Sequence, residues 1–168
     1  MTELTVRSAT VHDVPAIQAL VRPLALEGIL LDKESVAYYE AIQEFLVVED
    51  GDGQLVGCGA LHVMWESIAE IRTLAAAPAA RGKGVGYALV QGLIAKARRL
   101  EVDSIFCLTF EVDFFTRQGF RVMENQEQLD PETYMELLRS HDEGVAEFLD
   151  LARVKPNTLG NTRMILEL

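Results

Sequence analysis

Cysteine is scarce in this chain of 168 residues: only Cys58 and Cys107 occur, far apart and each within an apolar, strand-like run. Neither a disulfide framework nor a CxxC metal knuckle is available to such a pair, and both read as reduced core residues. The three histidines, His12, His62 and His141, show no metal-ligand spacing, so no metal site is expected. No apolar run approaches the roughly 20 residues that span a bilayer. The opening MTELTVRSAT lacks the basic-then-apolar layout of a secretory signal, and a cytoplasmic location is expected. Cations are outnumbered, 15 Lys and Arg against 26 Asp and Glu, for a formal charge of -11. A field of that sign repels nucleic acid and anionic lipid alike, so neither nucleic acid nor membrane is expected as a partner.

What the chain does have is apolar residues, 49% of it, with 24% charged, the balance of a soluble globular protein able to bury a core. Cores divide only beyond roughly 250 residues, so residues 1–168 are expected to form a single domain.

The pattern along the chain is mixed α and β. Leu4–Val6 is strand-like and leads into Thr10-Val11-His12-Asp13, a variant capping box that announces a helix. Val14, Ile17, Leu20, Val21 and Leu24 recur at helical spacing, and Pro23 is expected to end or kink that helix. A second helix is predicted over Lys33–Ile42. Phe45–Glu49 and Leu55–Val63 flank an Asp-Gly turn and read as a hairpin, which Ile68–Ala75 extends. Gly84–Leu100 carries an apolar stripe of Val85, Ala88, Leu89, Gly92, Leu93 and Leu100. Ser104–Phe110 reads as a buried strand, Asp113–Gln118 as a short helix closed by Gly119, and Phe120–Met123 as a strand. Asn125–Asp130 is loop-like, two short helices are predicted between Pro131 and Leu149, and Met164, Leu166 and Leu168 alternate as a last strand.

The most informative segment is Arg81-Gly82-Lys83-Gly84-Val85-Gly86, between a strand and an amphipathic helix. Glycines permit positive φ and let backbone amides approach a ligand, and the helix start adds N–H groups without intrahelical partners. Arg81 and Lys83 place positive charge here in an otherwise acidic chain, so the segment reads as an anion nest of diphosphate size. It is not a P-loop, because the GK[ST] ending is missing. The glycine spacing and the position of Glu101 also fail the dinucleotide fingerprint.

Strand, Arg-x-x-Gly-x-Gly, then a long helix resembles the coenzyme A signature of the GNAT N-acetyltransferases, in which Arg81–Gly86 would hold the pyrophosphate. Glu70-Ile71-Arg72-Thr73-Leu74-Ala75 is similar to that family's fourth strand, whose splayed edge binds the pantetheine and receives the thioester. Phe114-Phe115-Thr116-Arg117-Gln118-Gly119-Phe120 resembles its later helix and turn. The resemblance implies a central, mostly antiparallel, twisted sheet with a splayed parallel strand pair, flanked by helices, and acetyl-CoA as the acyl donor. Within the family the chain is most similar to the short, single-domain bacterial N-acetylglutamate synthases. That similarity is carried by Gln43-Glu44-Phe45, Gly57–Val63, Glu70–Thr73, Leu108–Glu111, Gly144–Asp150 and the tail Val154–Met164. It implies acetylation of the α-amino group of L-glutamate, the first step of arginine biosynthesis. Dimerisation, common in the family, is an expectation resting on that analogy alone. Alternatives are a GNAT enzyme acting on glutamine or another small amine, and a non-catalytic coenzyme A-binding module.

Chemistry sharpens the candidates. The amine of a free amino acid titrates roughly two units above neutral, which withholds ~3 kcal/mol from attack at pH 7. Glu70, two residues before Arg72 in a strand, is the candidate general base, acting through water. Many relatives place a tyrosine beside the departing thiolate. Here the matching position is Phe115, a cofactor-contact candidate without a hydroxyl, which leaves Thr109 or a water as the donor. Backbone donors at Leu74 and Ala75 would meet the oxyanion. Two carboxylates on the acceptor require separated cations or amide donors: Arg72 and Lys155 lead, with Lys33, Arg163 and Asn161 behind them.

Overall fold

The computed structural model describes residues 3–123, 130–149 and 161–168. Among the described residues seven strands and six α-helices follow one another: β1 (Thr5–Ser8), α1 (Val14–Leu26), α2 (Ser35–Glu40), β2 (Phe45–Glu49), β3 (Leu55–Trp65), β4 (Ile68–Ala76), α3 (Val85–Arg99), β5 (Ser104–Thr109), α4 (Val112–Thr116), β6 (Arg121–Val122), α5 (Pro131–Leu137), α6 (Glu143–Phe148) and β7 (Thr162–Glu167). The architecture is mixed α/β, as the sequence implies, with strand order β1-β2-β3-β4-β5-β7-β6 in a mostly antiparallel sheet. The chain packs as two compact units: Met1–His62 with Ile71–Leu100, and Val63–Glu70 with Glu101–Leu168.

In the first unit β2 pairs antiparallel with β1 and with β3. The loop between β2 and β3 is folded by Asp50, whose carboxylate accepts the N–H groups of Asp52 at 3.0 Å and Gln54 at 2.9 Å. Val14, Ile17 and Val21 of α1 and Tyr38 of α2 form a core with Phe45, Val47, Cys58, Ala60 and Ala75. Arg7 ties β1 to its neighbours through ion pairs to Asp13 at 2.8 Å and Glu49 at 2.5 Å. Asp13 also accepts the Thr10 N–H at 2.7 Å, the cap anticipated from sequence.

The second unit is organised by β7, which pairs antiparallel with β5 and with β6. Asp130 and Asp142 cap α5 and α6, accepting from Thr133 N and Val145 N, each at 3.0 Å. Phe106 meets Phe148 edge-on at 5.4 Å within a core that includes Met64, Ile68, Leu137 and Ile165.

Three expectations need correction, while α1 closes at Leu26, one turn after Pro23. Ala19, whose carbonyl loses its helical partner to the proline ring, is exposed, and half-buried Leu24 still packs on the core. The second helix is shorter than predicted because residues Ile42–Glu44 tighten into a 3-10 turn before β2. Leu100 lies just past α3 and is 50% exposed; the buried face is completed instead by Val90, Ile94 and Ala97. The strand expected over Phe120–Met123 shrinks to Arg121–Val122. Residues 125–129 of the expected loop lie outside the described residues.

Candidate active site

The first unit carries the glycine-rich segment on the route from β4 into α3. After β4 the chain makes a 3-10 turn, Pro78–Ala80, and Lys83 N–H returns to the Ala80 carbonyl at 3.2 Å. Gly82 and Gly84 then take φ of 75° and 87°, the left-handed region, where an L side chain costs about 1–2 kcal/mol. A Cβ on Gly82 would meet nothing within 4 Å, and one on Gly84 only Leu4 Cδ1 at 4.0 Å. Backbone sign, not crowding by the protein, therefore demands glycine, and the face of the turn stands open. Gly84 caps α3, and Ala88 N–H bonds its carbonyl at 2.9 Å, so helical bonding starts at once and the first N–H groups of this 15-residue helix have no carbonyl one turn earlier. Arg81 and Lys83 are exposed on either side of Gly82. Alternating φ, an open helix start and two cations form an arrangement suited to paired phosphate groups.

Strand β4 precedes this turn and carries a feature that the sequence does not announce. Thr73 has φ 56° and is buried. A β-branched residue in the left-handed region costs on the order of 1–3 kcal/mol and interrupts the pleat. Its carbonyl accepts the Cys58 thiol at 3.6 Å, and burial pushes that thiol up to about 12, so the S–H proton stays in place as the donor. Arg72 and Leu74 on either side are half-buried and Ala75 is buried. Threonine in a strand ordinarily signals regular extended backbone, so no residue pattern marks the irregularity.

Within the second unit Glu70, also on β4, is only 5% exposed. Cys107 stands in its electrostatic reach: burial first, and then the negative charge of Glu70, raise the Cys107 thiol above its ordinary range. Thr109 at the end of β5 is buried, and its Oγ1 accepts the Glu111 N–H at 2.8 Å. That bond occupies a lone pair and leaves the hydroxyl proton to be donated. Phe115 is buried with its ring edge-to-face to Phe114 and to Phe120, both at 5.1 Å, so the position is held by aromatic packing.

The acceptor-binding candidates are spread over both units. Lys33 and Arg72 are half-buried in the first, and Asn161 and Arg163 are half-buried in the second. Arg163 supports the fold directly, because its Nη2 donates to the Phe148 carbonyl at 3.1 Å, closing the end of α6, and lies 3.9 Å from Met123 Sδ. Lys155 lies outside the described residues. One pair escapes sequence reasoning: His62 Nδ1 and Glu44 Oε1 sit 2.7 Å apart, joining the end of β3's first-unit portion to the turn before β2. Their separation of 18 positions gives no local signal. Among the described residues no three His, Cys, Asp or Glu side chains are grouped to hold a metal ion.

Comparison with known proteins fits this geometry. The profile of the acetyltransferase (GNAT) family matches residues 19–120. An amino-acid acetyltransferase of Mycobacterium tuberculosis is 52% identical over 165 residues, 97% of this chain and 94% of its own length. A Mycobacterium tuberculosis crystal structure in complex with CoA superposes with a TM-score of 0.92 at 52% identity, covering 98% of this chain and 99% of that one. An N-acetylglutamate synthase from Neisseria gonorrhoeae, solved with coenzyme A and N-acetyl-glutamate, superposes at 0.76 with 30% identity, over 100% of this chain and 36% of the synthase. The chain thus spans about a third of that longer protein.

Proposed function

This chain belongs to the acetyltransferase (GNAT) family and is an acetyl-CoA-dependent N-acetyltransferase, and on that premise we propose that it acetylates the α-amino group of L-glutamate. The acyl donor supplies an activated thioester carbonyl. Arg81, the N–H groups from Gly82 to Gly86 and the charge of Lys83 hold its pyrophosphate, and Val85 anchors that turn to the core with a side chain 1% exposed. A backbone N–H at Leu74, next to left-handed Thr73, would meet the oxygen where negative charge develops, with Ala75, whose N–H also reaches the Cys58 sulfur, as the second candidate donor.

Glu70 takes the proton that the ammonium group of the acceptor must lose, through one water. The N–C bond then forms as the C–S bond breaks, the nitrogen's second proton leaves through the same water to solvent, and Thr109 delivers its hydroxyl proton to the leaving sulfur and is reprotonated from solvent. Glu111 N–H fixes the orientation of that hydroxyl. Arg72 and Lys155 meet the acceptor's two carboxylates, with Lys33 and Asn161 as further donors. Arg163 supports the α6 end through the Phe148 carbonyl and stands as a further donor for the acceptor.

The observation that supports this reading most is Glu70 itself. A carboxylate 5% exposed sits on the strand that leads, through a left-handed residue, into the glycine turn. Burial of a carboxylate is costly unless its environment uses it, and a base beside an acyl-transfer site is such a use. The same reading places the product at the first step of arginine biosynthesis, in the cytoplasm, with a homodimer as the working unit.

Thiol release from acetyl-CoA, measured with each common amino acid in turn, tests the acceptor. Glutamate is expected to give the highest kcat/KM, at least roughly tenfold above glutamine, because a site built for a charged terminus leaves its cation unpaired with an amide. Equal rates across amino acids would defeat the glutamate assignment while leaving the acetyltransferase intact.

A further inference from the structure

Strand β3 contains Gly57-Cys58-Gly59, and the nearest neighbour of Gly57 is a side chain of the glycine turn itself. A Cβ built on Gly57 would stand 2.4 Å from Val85 Cγ1, 3.1 Å from Leu89 Cδ1 and 3.4 Å from the Ala75 carbonyl oxygen. Val85 is the first residue of α3 and follows Gly84, the left-handed cap. The close approach of β3 to α3 is thus made at the residue whose backbone belongs to the glycine turn.

The side chain involved decides how such a contact is relieved. Val85 branches at Cβ and is 1% exposed, so little room is left for its methyl to turn aside, and the contact is relieved chiefly by backbone movement at β3 or at the start of α3. Gly92, seven residues along the same helix, provides the contrast. A Cβ there would meet Leu46 Cδ1 at 2.9 Å and Val6 Cγ1 at 3.3 Å, and Leu46 offers the far end of a flexible side chain. Crowding at Gly92 is absorbed by rotation about 10 Å along the axis from Val85, given a rise of ~1.5 Å per residue.

We infer that Gly57 is a positioning residue for the acyl donor: its missing Cβ seats Val85, and through Val85 the N–H groups of the turn at Arg81–Gly86. This rests on the reading of that turn as the pyrophosphate site. A shift of about 1 Å in a binding element costs on the order of 100-fold, so Gly57→Ala is expected to weaken coenzyme A by roughly 10- to 100-fold.

The experiment is calorimetric titration of the full chain with coenzyme A in wild type, Gly57→Ala, Val85→Ala, the Gly57→Ala/Val85→Ala double variant, Gly92→Ala and the Arg81→Ala/Gly84→Ala double variant. The inference holds if Gly57→Ala binds at least tenfold more weakly, Gly92→Ala stays within threefold of wild type, and the Gly57→Ala/Val85→Ala protein returns to within threefold of Val85→Ala alone. It is overturned if Gly57→Ala binds like wild type, if Gly92→Ala loses as much as Gly57→Ala, or if removing the valine methyls restores nothing. Should Gly57→Ala fail to fold, the double variant decides: binding equal to Val85→Ala supports the contact, and weak binding or continued misfolding overturns it. The Arg81→Ala/Gly84→Ala protein separates the two readings. Undiminished affinity there removes the pyrophosphate site and this inference together, whereas lost affinity there with normal affinity in Gly57→Ala removes the positioning role alone.

Discussion

The proposed phosphate turn of the first unit is built from backbone and stands open to solvent, whereas the proposed proton-handling groups of the second are side chains almost closed off from it. Gly82, Gly84, Arg81 and Lys83 are all exposed, while Glu70, Thr109 and Phe115 are all buried. The difference follows from the chemistry each region serves. A diphosphate is large, charged and arrives from water, so it suits N–H groups that need no desolvation before it comes. Proton transfer needs a group whose surroundings hold it in one geometry, and burial supplies that at a cost in solvation. The contrast predicts that substitutions in the turn act on affinity and that substitutions at the buried groups act on turnover.

The largest expected effect tests the buried side. Glu70→Gln keeps shape and removes the base, and turnover near neutral pH should fall on the order of 100- to 10,000-fold with little change in the KM for acetyl-CoA. The deficit should narrow as pH rises toward the amine's own titration, because solvent then delivers the acceptor already neutral. Initial rates from pH 6 to 10 measure this. Wild-type turnover in the variant would remove Glu70 as base, and a weakened KM for the donor with kcat intact would erase the contrast between the two regions.

A smaller effect is expected at Thr109. Thr109→Val preserves volume but removes the proton donor and the partner of the Glu111 N–H, a bond worth about 0.5–1.5 kcal/mol of stability at this exposed residue. kcat should drop about tenfold, within the range general acid catalysis provides, while Thr109→Ser should keep most of it. Stopped-flow thiol detection at saturating acetyl-CoA reads the difference, and a serine variant as slow as the valine variant would assign Thr109 to packing alone.

The same contrast explains what is legible in the sequence. A backbone site writes itself into glycines, so Arg81–Gly86 and the start of α3 can be read off directly, as can the capping of α1 by Thr10 and Asp13, whereas which two of the three glycines reverse, Gly82 and Gly84, cannot. Side-chain sites are assembled across the chain, and their quality depends on burial that no local pattern encodes. Glu70 is readable as a strand glutamate near the right motif, but its burial is not. Thr73 misleads, since a β-branched residue promises regular strand and instead adopts a left-handed backbone. Arg163 reads as a cation for a carboxylate, and nothing near it in sequence shows that it also bonds the Phe148 carbonyl. Pro23 reads as an end or a kink near the close of α1, and sequence cannot tell that the residue is exposed, with the helix closing at Leu26. Gly57 gives no turn signal at all. Its requirement is set by Val85, 28 positions away.

The smallest effect asks whether ionic support elsewhere in the first unit reaches the turn. Asp13 is held to about 2, below its ordinary 3.8, chiefly by its hydrogen bonds from the Arg7 guanidinium, and the pair is only partly exposed. A carboxyl depressed in the folded state stabilises it fully above its unfolded value near 4, and the contribution fades as pH falls through about 2. Asp13→Asn should therefore cost about 1–2 kcal/mol at pH 7, after allowance for solvent around Arg7, and progressively less between pH 4 and pH 2. Urea unfolding of both proteins across that range gives the difference directly. Coenzyme A affinity should not change, because Arg7, Asp13 and Glu49 join β1, the start of α1 and β2 and touch no residue of the turn. A loss of affinity that tracks the loss of stability would mean that the turn depends on the rigidity of the whole first unit. Val85 would then be one of many supports, and the distinction between an open backbone site and a closed side-chain site would lose its physical basis.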